Sequence, residues 1–153
     1  MPLPTEPDIR RMTLADLNEV LAIEQASFRT PWKREHFESE LSGRYSFPFV
    51  AESGGRVVGF VCLTSLFEEA QILDIAVSPE QRGRGIARLL LKHACAVARE
   101  RQAEVLCLEV RASSEAAIGL YRRAGFRQIG IRANYYDSSE DAVLMEKSLK
   151  ETP

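Results

Sequence analysis

Gln71-Ile72-Leu73-Asp74-Ile75-Ala76-Val77-Ser78-Pro79-Glu80-Gln81-Arg82-Gly83-Arg84-Gly85-Ile86-Ala87 reads as an apolar strand, a proline turn and a glycine-rich entry into a long helix. A helix start presents unpaired backbone N–H groups and the positive end of the macrodipole, and glycines there let a phosphorylated ligand approach the amides closely. Arg82 and Arg84 add two cations at the same place. The stretch is therefore expected to be a pyrophosphate cradle between a strand over 71–77 and a helix over 86–100. In that helix Ile86, Leu89, Leu90, Ala94 and Val97 fall at offsets 0, 3, 4, 8 and 11, so one face packs on a sheet while Arg88, Lys92, Arg99 and Glu100 stay in water.

Upstream, residues 8–12 read as an edge strand, and Thr13 with Asp16 three residues later as a capping box. The helix that follows carries Leu17, Val20, Leu21 and Phe28 at offsets 0, 3, 4 and 11, with Glu24 at offset 7 on the same stripe. An unpaired carboxylate on an apolar face is costly to bury. Glu24 is therefore either solvated at a frayed helix end or placed to meet a substrate amine. Pro31 breaks the helical pattern at 28–32, where the only tryptophan, Trp32, either plugs a core gap or lines a groove. A short helix over about 33–41 ends at Gly43, and strands over 46–52 and 56–66 join through Ser53-Gly54-Gly55.

Downstream, 105–110 is a continuous apolar strand, the pattern of a strand covered on both faces and entered through a helical crossover, with Glu109 near its end. Ser113 or Ser114 caps a helix through Ala124 that Gly125 stops, and 126–132 with 142–149 form a final strand pair joined by a polar connection over 133–141.

The 153 residues are expected to form a single domain spanning 1–153, with 1–7 and 150–153 flexible. Twenty Lys and Arg against 22 Asp and Glu give a net charge of -2, which provides no field for sequence-independent nucleic-acid binding. Cys62, Cys95 and Cys107 are odd in number, lack metal-like spacing and sit in apolar segments, pointing to buried reduced thiols in a cytoplasmic protein without a metal. No apolar run approaches the roughly 18 residues of a membrane span, and 1–8 has no signal-peptide core, so no membrane association is expected.

The cradle is not a P-loop, because no G-x-x-x-x-G-K-[ST] string exists. It is not a dinucleotide fingerprint either, since a pattern begun at Gly83-x-Gly85 needs glycine or alanine where Arg88 stands. What remains is Arg82-x-x-Gly85-x-Ala87, followed downstream by Leu108-Glu109-Val110-Arg111-Ala112-Ser113-Ser114 and by Ala117-Ile118-Gly119-Leu120-Tyr121 running to Gly125-Phe126. Together, in this order, these resemble the GNAT superfamily of acetyl-CoA-dependent N-acetyltransferases. The E-V-R-A-S run and Asn134-Tyr135-Tyr136 followed by Glu140-Asp141-Ala142 resemble more closely the bacterial RimI type, the ribosomal-protein alanine N-acetyltransferases.

The resemblance implies an α/β GNAT fold, with a central, mixed but mostly antiparallel twisted sheet of about seven strands flanked by about four helices. It implies acetyl-CoA as cosubstrate, with pantetheine amides pairing along Ile75, Ala76 and Val77 and the pyrophosphate held by the backbone of Arg82, Gly83, Arg84, Gly85, Ile86 and Ala87. Ser114 would replace an asparagine frequent in the family at a cofactor hydrogen bond. Glu109 would be the general base and Tyr121 the general acid. Asn134, Tyr135 and Tyr136 would border the groove for a protein N-terminus, facing Phe28, Pro31 and Trp32, with a ribosomal small-subunit protein beginning in alanine as substrate. Ser138 and Ser139 stand where the family often has a glycine, which bears on the turn geometry.

The residue chemistry is consistent with this. An α-amine, with a reference pKa of about 8 against about 10.4 for lysine, needs little help to lose its proton at neutral pH. A carboxylate accepts that proton directly or through water, and a phenol suits protonation of a departing thiolate. Two alternatives stay open: an acetyltransferase for a small-molecule amine, and a non-catalytic acyl-CoA-binding module. The chain is expected to be a monomer or weak oligomer.

Overall fold

Leu17, Val20 and Ile23 on one helix, and Ile86, Leu90, Leu91, Ala94, Cys95 and Ala98 on another, bury the two opposite faces of one sheet. The computed structural model describes residues 6–136 and 140–150. In chain order the elements are β1 (Asp8–Arg11), α1 (Leu17–Ser27), α2 (Arg34–Ser42), β2 (Ser46–Ser53), β3 (Arg56–Leu66), β4 (Glu69–Val77), α3 (Ile86–Glu100), β5 (Val105–Arg111), α4 (Glu115–Arg123), β6 (Arg127–Tyr136) and β7 (Glu140–Ser148). The seven strands are ordered β1-β2-β3-β4-β5-β7-β6. Only β4 and β5, joined through α3, run parallel; every other neighbouring pair is antiparallel.

One core lies under α3, where its apolar stripe meets Val61, Leu63, Ile72, Leu106, Leu108 and Met145. The other lies under α1 and α2, where Leu17, Val20, Ile23 and Phe37 pack on Val50, Phe60 and Cys62. The buried stripe of α1 differs from the expected one. Ile23 and Glu24 lie inside, whereas Leu21 and Phe28 are only partly covered, because the helix ends at Ser27 and Phe28 turns extended. All three cysteines are free; Cys62 and Cys95 are buried as expected, but Cys107 is only half-buried.

The feature that positions the site is the parting of β4 from β5. Their ladder holds only Glu69, Ala70 and Gln71 against Val105, Leu106 and Cys107. Beyond it β4 carries a bulge: Cys62 of β3 pairs with Asp74 and Leu63 with Ile72, leaving Leu73 without an opposite number. Ile72, Ile75 and Val77 pack with the α3 core, while Leu73 and Ala76 pack with the α1 core. The bulge therefore turns Leu73 and Asp74 consecutively toward α1, which is how one extra residue re-aims a side chain. Strand β5 alternates, with Leu106, Leu108 and Val110 buried and Val105, Cys107 and Glu109 half-buried. Two fully covered faces were expected; one face instead borders the opening left by β4.

Element ends also move. Strand β4 begins two residues early, and β6 extends through Asn134, Tyr135 and Tyr136, which the sequence pattern assigned to the polar connection. Ser138 and Ser139, and most of the termini expected to be flexible (1–7 and 150–153), lie outside the described residues. Gly125 takes φ +100 after α4, the left-handed stop expected of it.

The capping box forms: the Thr13 N–H donates to Asp16 Oδ2 at 2.8 Å. Asp16, itself buried, also accepts two hydrogen bonds of 2.8 Å from the Arg10 guanidinium. Arg10 thereby holds the Asp16 carboxyl below its usual range, overriding the opposing effect of burial. Because the folded value is the lower one, this stabilisation is complete above the unfolded carboxylate's pKa of about 3.9 and is lost as pH falls through the folded value. Asp16→Asn should therefore lower the unfolding free energy by roughly 1–3 kcal/mol at neutral pH, measured by urea titration. The difference from the parent should shrink below about pH 4.

Candidate active site

Where β4 and β5 part, a cleft of about 420 Å³ opens between them. Leu73, Asp74 and Ile75 form one wall and Leu108, Glu109 and Val110 the other; Tyr121 of α4, Tyr136 of β6, and Glu24, Phe28 and Trp32 complete the lining. A larger depression of about 630 Å³ lies under the β3–β4 turn beside Tyr45, Phe67 and Arg101. Size does not select the site; convergence of proton-exchanging groups does, and these meet in the β4–β5 cleft.

Glu109 projects from β5 and forms an ion pair with Arg132 of β6 at 3.3 Å. Neighbouring Arg111 engages Glu140 at 3.1 Å and lies over the Tyr136 ring at 4.4 Å. Glu140 also accepts the Ser113 N–H at 2.9 Å, so β7 braces the turn that starts α4. Tyr121 is buried, with its ring edge-on to Phe126 at 5.9 Å. Burial first, and then the nearby Asp74 carboxyl, push its phenol above the ordinary tyrosine value, so it keeps its proton. Burial, with Glu109 next, pushes Tyr136 up to about 12.

Glu24 is 2% exposed, which overturns its reading as a solvated residue at a frayed end. One oxygen accepts the Trp32 backbone N–H at 2.9 Å, a bond that pins the 28–32 segment against α1. Asp74, 9% exposed, faces it from the β4 bulge. Burial and the Glu24 carboxyl together lift Asp74 well above the usual carboxylate range.

At the cradle, Gly83 and Gly85 have φ +81 and +80, and a Cβ built on either meets nothing within 4 Å. These glycines are required by backbone conformation, and both face open space. Gly85 is the N-cap of α3, whose first turn carries no acid. Free amides, the helix dipole and absent acids fit a pyrophosphate. Arg82 contributes differently from expectation: its Nε donates to the Val77 carbonyl at 3.2 Å and its Nη2 to Ser27 Oγ at 3.1 Å, so the side chain ties β4 to α1. Arg84, Arg88 and Lys92 line a second groove along α3 with Gly85 and Ile86.

Of the residues expected at the site, Glu24, Phe28, Trp32, Ile75, Glu109, Ser114, Tyr121 and Tyr136 line the cleft. Pro31, Ala76 and Val77 adjoin it without lining it; Ala76 and Val77 pair with Phe60 and Gly59 of β3. Asn134 and Tyr135 do not reach it. Asn134 is exposed, with its N–H held by Asp141 at 3.0 Å, and Tyr135 lies outward under Arg132. Strand alternation explains Tyr135, which faces out because Tyr136 faces in; Asn134 takes φ +54 where the β6–β7 register shifts between Arg132 and Tyr136. Asp74, Arg132 and Glu140 were missed. An aspartate inside Ile72-Leu73-Asp74-Ile75 was the available signal, by the same reasoning that singled out Glu24. Among the described residues no group of three or more His, Cys, Asp or Glu is arranged for a metal ion, and no helix is long and apolar enough to cross a membrane.

The chain belongs to the acetyltransferase (GNAT) family, whose profile matches residues 17–126. It is 36% identical over 140 residues to the ribosomal protein bS18-alanine N-acetyltransferase of Escherichia coli (strain K12), covering 90% of this chain and 94% of that protein. It is likewise 36% identical over 151 residues to the N-alpha-acetyltransferase RimI of Mycobacterium tuberculosis (strain ATCC 25618 / H37Rv), covering 94% of each. The crystal structure of the ribosomal-protein-S18-alanine N-acetyltransferase from Escherichia coli has the same fold, with a TM-score of 0.87 and 34% identity over 95% of this chain and 96% of that one.

A side chain at Gly85 would force a left-handed conformation on an L-residue. Gly85→Ala should cost roughly 1–2 kcal/mol, read as a lowered midpoint in thermal unfolding.

Proposed function

We propose that the chain is a single-domain cytoplasmic enzyme that transfers an acetyl group from acetyl-CoA to the N-terminal α-amine of a protein, a ribosomal small-subunit protein beginning with alanine. The observation that carries this is the meeting of Glu109 and Tyr121 in one cleft beside the cradle, where β4 leaves β5. The acceptor is supported by the names of the relatives and by the aromatic lining from Phe28, Trp32 and Tyr136, which suits a peptide segment.

When bound, the coenzyme supplies a thioester whose acetyl carbon the amine attacks. The 73–77 edge of β4 offers backbone groups to its pantetheine arm, and the turn over 82–87 offers amides to its pyrophosphate. Ser114, at the start of α4, lines the cleft close enough to add a hydroxyl. Glu109 takes the amine's proton on its carboxylate, directly or through water, and Arg132 holds that carboxylate in place. Tyr121 keeps its phenolic proton through the neutral range and releases it at Oη to the departing sulfur.

The test is incubation with acetyl-CoA and either alanine-starting peptides or free amines such as spermidine, read by mass spectrometry. Acetylation of the peptide α-amine is expected; turnover with free amines alone overturns the proposed acceptor. Glu109→Gln and Tyr121→Phe should each lower kcat by about a hundredfold or more while leaving acetyl-CoA affinity unchanged. Coenzyme binding without turnover in the parent would make the chain a binding module.

A further inference from the structure

We propose that Asp74 and Glu24 together form the docking site for the acceptor's amino group, which they receive as an ammonium on the Tyr121 side of the cleft. This rests on the cleft being an acetyl-transfer site.

Glu24 Oε1 and Asp74 Oδ2 are buried oxygens that find no donor among the described residues beyond each other's carboxyl, and both residues line the cleft. The other Glu24 oxygen is fixed by the Trp32 N–H, so the carboxyl cannot swing away to find water without releasing the 28–32 segment. Asp74 is held at its station by the β4 bulge, paired to Cys62 on β3. Asp74, dry and set beside the Glu24 carboxyl, is lifted well above the usual carboxylate range and keeps its proton at neutral pH, leaving spare acceptor capacity on the pair. None of the groups acting on Asp74 is a cation. Arg111, the arginine of β5 in the cleft, is engaged by Glu140 and Tyr136. An ammonium supplies what the pair lacks, a positive charge and three donors. Its proton then leaves for Glu109 in the proposed reaction, and the pair keeps its own.

An amide pair tests this with little change of shape. Competitive binding compares an alanine-starting peptide with its des-amino counterpart, which has a propionyl group in place of alanyl. The parent should favour the amino peptide. Glu24→Gln/Asp74→Asn should raise KM for the amino peptide about ten- to hundredfold, leave the des-amino peptide's inhibition constant unchanged, and so abolish the discrimination. Each single variant keeps one carboxyl and should lose part of it. Acetyl-CoA affinity is the control for folding. A double or single variant that binds acetyl-CoA normally and discriminates as the parent does overturns the proposal. If the parent acetylates spermidine but no peptide, the N-terminal acceptor is wrong and the pair is judged by the same variants on the KM for spermidine. If the parent acetylates neither, both proposals fall.

Discussion

Strand β4 cannot follow β5 past Gln71, and the active cleft exists because of it. The parallel ladder of three residue pairs closes one end of the sheet, and the bulge at Leu73 turns β4 away from the other. A wedge therefore opens in the middle of a continuous sheet, walled by β4 and β5 and rimmed by the 28–32 segment and the start of α4. Residues 74–77 keep their β3 partners, while their other edge lies outside the β4–β5 ladder. An edge of that kind ordinarily invites another chain. Here it lies inside the molecule, walled by α4 and the 28–32 segment, and only a narrow extended ligand can add to it.

The same parting controls the electrostatics of the site. By pulling β4 toward α1, the bulge sets Asp74 against Glu24 in a region with Phe28 and Trp32 around it. On the far wall Glu109 is held by Arg132, and Arg111 by Glu140. The cleft thus has two acidic stations of different character: one paired with a cation and half-exposed, the other paired only with itself and buried. Tyr121 keeps its proton first through its own burial and then through the nearby Asp74 carboxyl. Groups of the same chemical type are set to different tasks by their surroundings.

Much of this was legible in the residues. The glycines at the start of α3 and the Gly125 stop report local backbone requirements that hold in the fold, and the helical period of α3 holds with its buried face turned: Leu91, Cys95 and Ala98 join Ile86, Leu90 and Ala94, while Leu89 lines the groove beside Arg88. The pairing of cradle and Glu109–Tyr121 segment carried the family and, with it, the sheet. Other features depended on long-range pairing that local pattern does not encode. Glu109 pairs with Arg132, a residue distant in sequence that the β5–β7–β6 order brings near. The inward turn of Tyr136 and outward turn of Tyr135 follow from the register of β6, which was read as a polar connection. Asp74 was hidden by a bulge, since period-two alternation over 71–77 gives no sign that two consecutive side chains share a face.

The most direct measurement is a crystal structure with a conjugate joining coenzyme A through an acetyl bridge to an alanine-starting peptide. The pantetheine arm is predicted to run along the 73–77 edge of β4, with the pyrophosphate on the 82–87 turn. The bridge should lie between Glu109 and Tyr121, and the peptide nitrogen should face Glu24 and Asp74. A conjugate seated elsewhere, such as under the β3–β4 turn beside Phe67 or along Arg88 and Lys92 with β4 and β5 uncovered, would contradict the assignment of the wedge as the site of transfer.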